Sequence, residues 1–173
     1  MPYAVSKTIK IDKIPVIDVS KLHSGTPETA LAVALKIRQA AEDVGFFYIS
    51  NHGIPEAVIK QAYSAAKSFF NLPKKLKDSV KINDNHHGYL SVGEAKMEQA
   101  EKIDLKESFV WGLDLPDEHP SVTKENPFLG RNQWPDEMPE LKGAVYPFFD
   151  AGLQCGRDMM RAFALGMELA EDS

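Results

Sequence analysis

The stretch from Ala40 to Pro55 constrains the fold more than any other part of the chain. It reads Ala40-Ala41-Glu42-Asp43-Val44-Gly45-Phe46-Phe47-Tyr48-Ile49-Ser50-Asn51-His52-Gly53-Ile54-Pro55. Upstream, Ala30, Ala34, Ile37, Ala41 and Val44 recur at helical spacing, and Gly45 is placed to end that helix in a left-handed conformation. Thr26-Pro27-Glu28 supplies its start, with a capping hydroxyl, a proline in the first turn and an acid at the positive end of the dipole. Phe46–Ile49 is apolar and aromatic, which suits a strand, and Asn51-His52-Gly53 has the residue types of a turn. Pro55-Glu56 then opens a second helix. Its expected buried face is Val58, Ala62, Ala66 and Phe69, with Ile59, Tyr63 and Phe70 beside it. Ahead of all this, Ile14-Pro15-Val16-Ile17-Asp18-Val19 reads as a short entering strand, with proline where no ladder bond is required. The order is strand, helix, strand, helix, and the fold class is α/β.

Leu72-Pro73 ends the second helix, and Lys74-Lys75-Leu76-Lys77 is expected to form the solvated face of a short helical turn. From Asn83 to Asp136 the sequence is rich in Gly, Pro, Asn and His, with strand candidates at Gly88–Val92 and Glu107–Trp111. Loops this long line a site or are held by other parts of the molecule. A helical pattern returns from Pro139 to Ala170 through Leu141, Val145, Phe148, Gly152, Cys155, Met159, Ala162 and Gly166, with Pro147 inside it as an expected kink. The strands are too few for these residues to close a barrel or sandwich of their own.

The formal net charge of −5 comes from interspersed acids and bases. It disfavours nucleic acid or an anionic membrane as the main partner, since both require a concentrated basic patch. No apolar run approaches the roughly 20 residues of a membrane span. Met1-Pro2-Tyr3-Ala4 has no basic stretch followed by an apolar one, so no signal peptide is expected. Cys155 is the only cysteine, so no internal disulfide or thiolate cluster forms, and a cytoplasmic location is the simplest expectation. In its helical pattern Cys155 is a packing residue. Nucleotide-binding glycine motifs and the Gly-x-Ser-x-Gly nucleophile elbow are absent.

Several segments taken in order resemble the N-terminal region of the isopenicillin N synthase-like, iron-dependent oxygenases. Ile14–Asp18 is similar to the family's first strand, and Ala40–Pro55 to its best-known N-terminal signature. Phe69-Phe70-Asn71-Leu72-Pro73 with Lys77 resembles the element that follows. Gly88-Tyr89, Asp104-Leu105-Lys106-Glu107-Ser108-Phe109, Asn126-Pro127-Phe128-Leu129-Gly130 and Asn132-Gln133-Trp134-Pro135 continue the series across nearly the whole chain.

The resemblance implies two segments: a non-haem dioxygenase N-terminal domain over 1–135, and over 136–173 a long helix leading into a double-stranded β-helix (jelly-roll) that these residues lack. It implies an oxygenase that oxidises a small-molecule substrate with Fe(II), 2-oxoglutarate being the expected cosubstrate; an ethylene-forming or succinate-forming activity is one option it leaves open. In that family a His-x-Asp pair and a distant His hold the iron. Here His23, His52, His86, His87 and His119 are the only histidines, and none has Asp or Glu two places on. The Arg-x-Ser pattern that binds 2-oxoglutarate is also missing. No catalytic residue, metal ligand or bound cofactor is therefore expected within these residues. The alternative function is an inactive protein, truncated or remnant, acting as a binding module.

The resemblance further implies that the segment around Gly88-Tyr89 borders the substrate pocket, where a basic residue meets a substrate carboxylate. His86 and Tyr89 are the candidate substrate-binding residues. His52 reads as a turn histidine bonded to nearby backbone, and Glu94 and Glu107 as solvated or salt-bridging carboxylates.

Overall fold

The computed structural model describes residues 14–94, 104–123 and 126–169. Its elements run β1 (Val16–Asp18), α1 (Ser20–Ser24), α2 (Pro27–Asp43), β2 (Tyr48–Ser50), α3 (Glu56–Phe70), α4 (Lys74–Asp78), β3 (Gly88–Leu90), β4 (Ser108–Val110) and α5 (Glu140–Gly166). Two compact units result, one from the described residues up to Ile59 with those from Pro147 onward, the other from Lys60–Tyr146.

In the first unit β1 and β2 pair in parallel, with Val16 opposite Tyr48, Ile17 opposite Ile49 and Asp18 opposite Ser50. Two parallel strands need a crossover, and α2 supplies it. Strand alternation sends Ile17 inward, against Val33, Ala34, Ile37 and Ala40 of α2 and Ala162 of α5. Val16 and Tyr48 share the opposite face and are exposed. The corner after β2 is closed by side chains. The Asn51 amide donates to Asp18 Oδ2 at 2.8 Å and the Ser20 amide to Asp18 Oδ1 at 2.9 Å. The Ser20 amide, ahead of Asn51, holds the Asp18 carboxyl below its ordinary range. His52 does what a turn histidine should: its Nδ1 accepts the Ile54 amide at 3.1 Å.

Two details of α2 differ from expectation. Thr26 stands at the N-cap with extended backbone, yet its hydroxyl caps no amide. The neighbouring Thr26 hydroxyl instead favours the ionised Glu28 carboxylate and lowers its pKa. The buried stripe is Val33, Ala34, Ile37 and Ala40, with Ala30 and Ala41 only half-buried. The other end of α2 is as expected. Gly45 has φ +80° and its amide reaches back to the Ala40 carbonyl at 3.1 Å. Nothing lies within 4 Å of a Cβ built there, so Gly45→Ala meets only the backbone penalty. The expected loss is about 1 kcal/mol in a denaturant melt, and no loss would contradict the left-handed cap.

The second unit is built on an antiparallel pair, with Gly88 opposite Val110, Tyr89 opposite Phe109 and Leu90 opposite Ser108. Phe69 of α3, Val80, Tyr89, Met138, and Leu141 and Val145 of α5 are buried together. Tyr63, expected beside the buried face of α3, is exposed instead. The long connections are tied down by side-chain amides. Asn132 accepts the Gly112 amide at 3.0 Å and donates to the Gly112 carbonyl and to Tyr146 Oη, both at 2.8 Å. Gln133 donates to the carbonyls of Lys81 and His87 at 2.6 and 2.8 Å. These bonds satisfy backbone groups that no regular ladder reaches.

The long helix α5 has Pro147 inside it and ends at Gly166, short of the expected Ala170, which lies outside the described residues. Glu168 has φ +61° and the Leu169 amide turns back to Ala164, so the chain leaves the helix there. Arg38 of α2 donates to the freed Gly166 carbonyl at 3.1 Å.

Candidate functional site

His86 and Tyr89 flank the start of β3, and the structure gives them opposite environments. Asn83 Oδ1 accepts the amides of Asn85 and His87 at 3.1 and 3.0 Å, which tightens the chain into a turn. At its apex His86 has φ +59°, a left-handed conformation uncommon outside glycine and adopted more readily by Asn, Asp and His than by other side chains. The ring is carried outward and packs against exposed Phe128, centroids 5.0 Å apart. The Asn85 side chain donates to the Leu129 carbonyl at 2.8 Å, lacing the two turns together. His86 and Phe128 thus form one exposed aromatic pair, from segments far apart in sequence.

His87 points the other way. It is buried, and its Nδ1 donates to the Arg131 carbonyl at 3.1 Å. The two adjacent histidines do not share a direction. No group of three or more His, Cys, Asp and Glu converges among the described residues.

Tyr89 is only 2% exposed and lies in the core. Phe69 meets it edge-on at 6.0 Å. Its hydroxyl donates to Glu107 Oε2 at 2.6 Å. Lys77 Nζ donates to the same oxygen at 2.6 Å and to the Phe70 carbonyl at 3.0 Å, and stands 5.3 Å from the Tyr89 ring centroid. Lys77 is 7% exposed, so the reading of Lys74–Lys77 as a wholly solvated face is corrected at this residue. A buried ammonium requires a counter-charge and hydrogen bonds, and Glu107 and the Phe70 carbonyl provide them. Lys77, then the Tyr89 hydroxyl, hold the Glu107 carboxyl below its ordinary pKa. Burial, then Glu107, pushes the Tyr89 phenol far above its own. Both protonation states are thereby fixed across the neutral range. Periodicity did not reveal this cluster. Its one sequence signal was that Lys77, Tyr89 and Glu107 all fall within the resemblance segments.

Glu94 pairs with Lys81, which pulls its pKa down to about 2, so both candidate carboxylates are ion-paired. Cys155 is half-buried, and burial followed by Asp158 raises its thiol pKa, as suits a packing residue rather than a nucleophile.

Residues 14–137 match the family described as non-haem dioxygenase in morphine synthesis N-terminal. The chain belongs to the non-haem iron and 2-oxoglutarate dioxygenase family. Among its relatives, the 2-oxoglutarate-Fe(II) type oxidoreductase ppzC of Metarhizium rileyi is 33% identical over 93% of this chain and 46% of its own length. The 2-oxoglutarate-dependent dioxygenase caaD of Aspergillus niger is 32% identical over 92% of this chain and 50% of its own. A solved Neurospora crassa protein in complex with alpha-KG superposes with a TM-score of 0.75 at 27% identity, over 95% of this chain and 50% of that one. A 2OG-Fe(II) oxygenase family protein from Caulobacter crescentus gives 0.76 at 26%, over 92% and 50%. The chain therefore spans about half the length of the relatives it matches, and over the matched part it shares a mixed α/β fold with the solved structures.

The family's iron does not fit the groups present here. A facial triad needs two imidazoles and a carboxylate at one point; His23 meets a single carboxylate, Asp158, at 3.3 Å, and among the described residues no three such groups converge. Among the described residues no helix is long and apolar enough to cross a membrane.

Proposed function

We propose that this chain is the N-terminal region of an Fe(II)- and 2-oxoglutarate-dependent oxygenase that oxidises a small organic substrate, with the iron triad in sequence outside these 173 residues. Residues 1–135 form the non-haem dioxygenase N-terminal domain, and 136–173 lead through α5 into the catalytic jelly-roll. The observation that carries this reading is the match over 14–137, with relatives named for Fe(II) and 2-oxoglutarate that are about twice as long. In this reading the region supplies scaffold and one wall of the substrate pocket. His86 meets the substrate, and Tyr89, anchored on Glu107, positions the strand behind it. A small planar substrate suits an exposed imidazole packed at a tilt beside Phe128, and the Neurospora crassa protein is solved with thymine and with 5-formyluracil.

The test is oxygen uptake and succinate formation from 2-oxoglutarate by the protein carrying this region together with a His-x-Asp…His sequence. A protein that holds no iron and consumes no 2-oxoglutarate would instead support the binding-module alternative. In the active protein His86→Ala should raise the substrate KM about tenfold, the equivalent of about 1.4 kcal/mol, with iron content unchanged. Loss of iron at constant substrate affinity would reverse the assignment.

A further inference from the structure

Between the C-terminal half of α3, strand β4 and the first turns of α5 lies a cavity of about 80 Å³, within the second unit and partly open to the surface. Phe69, Phe70, Phe109, Trp111 and Trp134 line it, with Ala66 on the α3 side. The rings brace one another. Phe69 lies 4.6 Å from Phe109, and Trp134 lies 5.9 Å from both Phe109 and Trp111, centroid to centroid. Rigid rings in mutual contact cannot collapse into the gap as flexible side chains would, so the space persists.

Its chemistry is one-sided. Every lining side chain is apolar or aromatic. The indole N–H of Trp134 is buried, with almost no accessible area and no partner among the described residues, so it contributes little to the surface that the cavity presents. Water needs two to four polar partners to be held in such a place, whereas dry cavities take apolar solutes. The volume is about half of the ~150 Å³ that admits benzene or xenon in an engineered cavity. That leaves room for a diatomic or monatomic guest, which gains dispersion contacts with the rings around it.

We propose that this cavity is a binding site for a small non-polar molecule, and that dioxygen is its physiological occupant. The dioxygen assignment rests on the oxygenase reading above; the gas site itself does not. A site of this kind raises the local dioxygen concentration inside a protein that consumes it.

The chain has two tryptophans, and both line the cavity, so their fluorescence reports occupancy directly. Xenon under pressure quenches indole through the heavy-atom effect, and dioxygen quenches it by collision. Both gases should give a saturable quench on top of the linear collisional one. Ala66→Leu and Val145→Ile narrow the space and should lose the saturable part, with thermal melts showing that each variant is folded. Linear quenching with equal slopes in the parent and both variants would overturn the site. A saturable response to xenon with a strictly linear one to dioxygen would overturn dioxygen as the occupant. If both gases saturate but the active-length protein consumes no 2-oxoglutarate, the gas site stands and the oxygenase reading fails.

Discussion

Gly88→Ala should be among the most damaging single substitutions in the chain, costing about 4 kcal/mol. Gly88 has φ +124°, a region open to glycine and strained for other residues. A Cβ there would also sit 2.6 Å from the Val80 carbonyl oxygen and 2.9 Å from the Ile82 amide nitrogen. Both are backbone atoms held by pairing: the Tyr89 amide donates to Val80 at 2.7 Å and the Ile82 amide to Tyr89 at 2.9 Å. Neither can rotate away, so backbone strain of about 1–3 kcal/mol adds to an overpacking cost of similar size. The measurement is a urea melt, with the midpoint falling and the slope unchanged if folding stays two-state. Gly143→Ala and Gly156→Ala supply the control. Both lie inside α5 with nothing within 4 Å of a built Cβ, and each should gain about 0.5–1 kcal/mol. A Gly88→Ala protein as stable as its parent would remove the close approach on which β3 is built here.

What could be read from sequence was local, and what could not be read was pairing and cover. Gly45, Phe46–Ile49 and Asn51-His52-Gly53 announce in order a helix end, a strand and a turn; the helix end and the corner are where expected, while the strand begins two residues later, at Tyr48–Ser50, and leaves Phe46 exposed. The strand candidates at 88–92 and 107–111 contain β3 and β4. Which strand would pair with which is decided by contacts between distant segments, and no dipeptide encodes the Tyr89–Phe109 register. Tyr63 shows the same limit. It lies at helical spacing from Phe70 on the apolar side of α3, but burial depends on what packs over a stripe, and nothing described covers Tyr63. Thr26 has the right residue type and backbone for a cap, yet its hydroxyl caps no amide. Around the candidate site, family resemblance points to His86, whereas Phe128 as its packing partner is visible only in the structure. Lys77 was misread because a lysine in a basic run is solvated by default, and only the position of Glu107 in space reverses that.

Removing Glu107 is therefore the second large expected effect. Glu107→Leu leaves the Lys77 ammonium buried without a counter-charge, and leaves the Tyr89 hydroxyl without its acceptor. Breaking a buried pair from one side costs about 3–5 kcal/mol. The Glu107 side chain is 30% exposed, so water can enter beside it, and about 3 kcal/mol is expected. The partner substitution separates the causes. In Lys77→Met with Glu107→Leu no unpaired charge remains, and the double variant should recover most of the loss, a coupling of about 2 kcal/mol in the cycle. Additive losses would show that Lys77 is not buried against Glu107 in solution. The pH dependence carries a sign at each end. Glu107 has its pKa lowered by folding, so its contribution is present above the ordinary carboxylate range and lost as pH falls through the folded value. The gap between parent and Glu107→Leu should close on acidification below about pH 4. Tyr89 has its pKa raised, so its contribution is full below about pH 10 and lost as pH climbs toward the folded value. The parent should weaken with alkali in that range, and Tyr89→Phe, with no phenol to ionise, should weaken less. Equal alkaline loss in both proteins would place the titrating group elsewhere and detach Tyr89 from the Glu107–Lys77 pair.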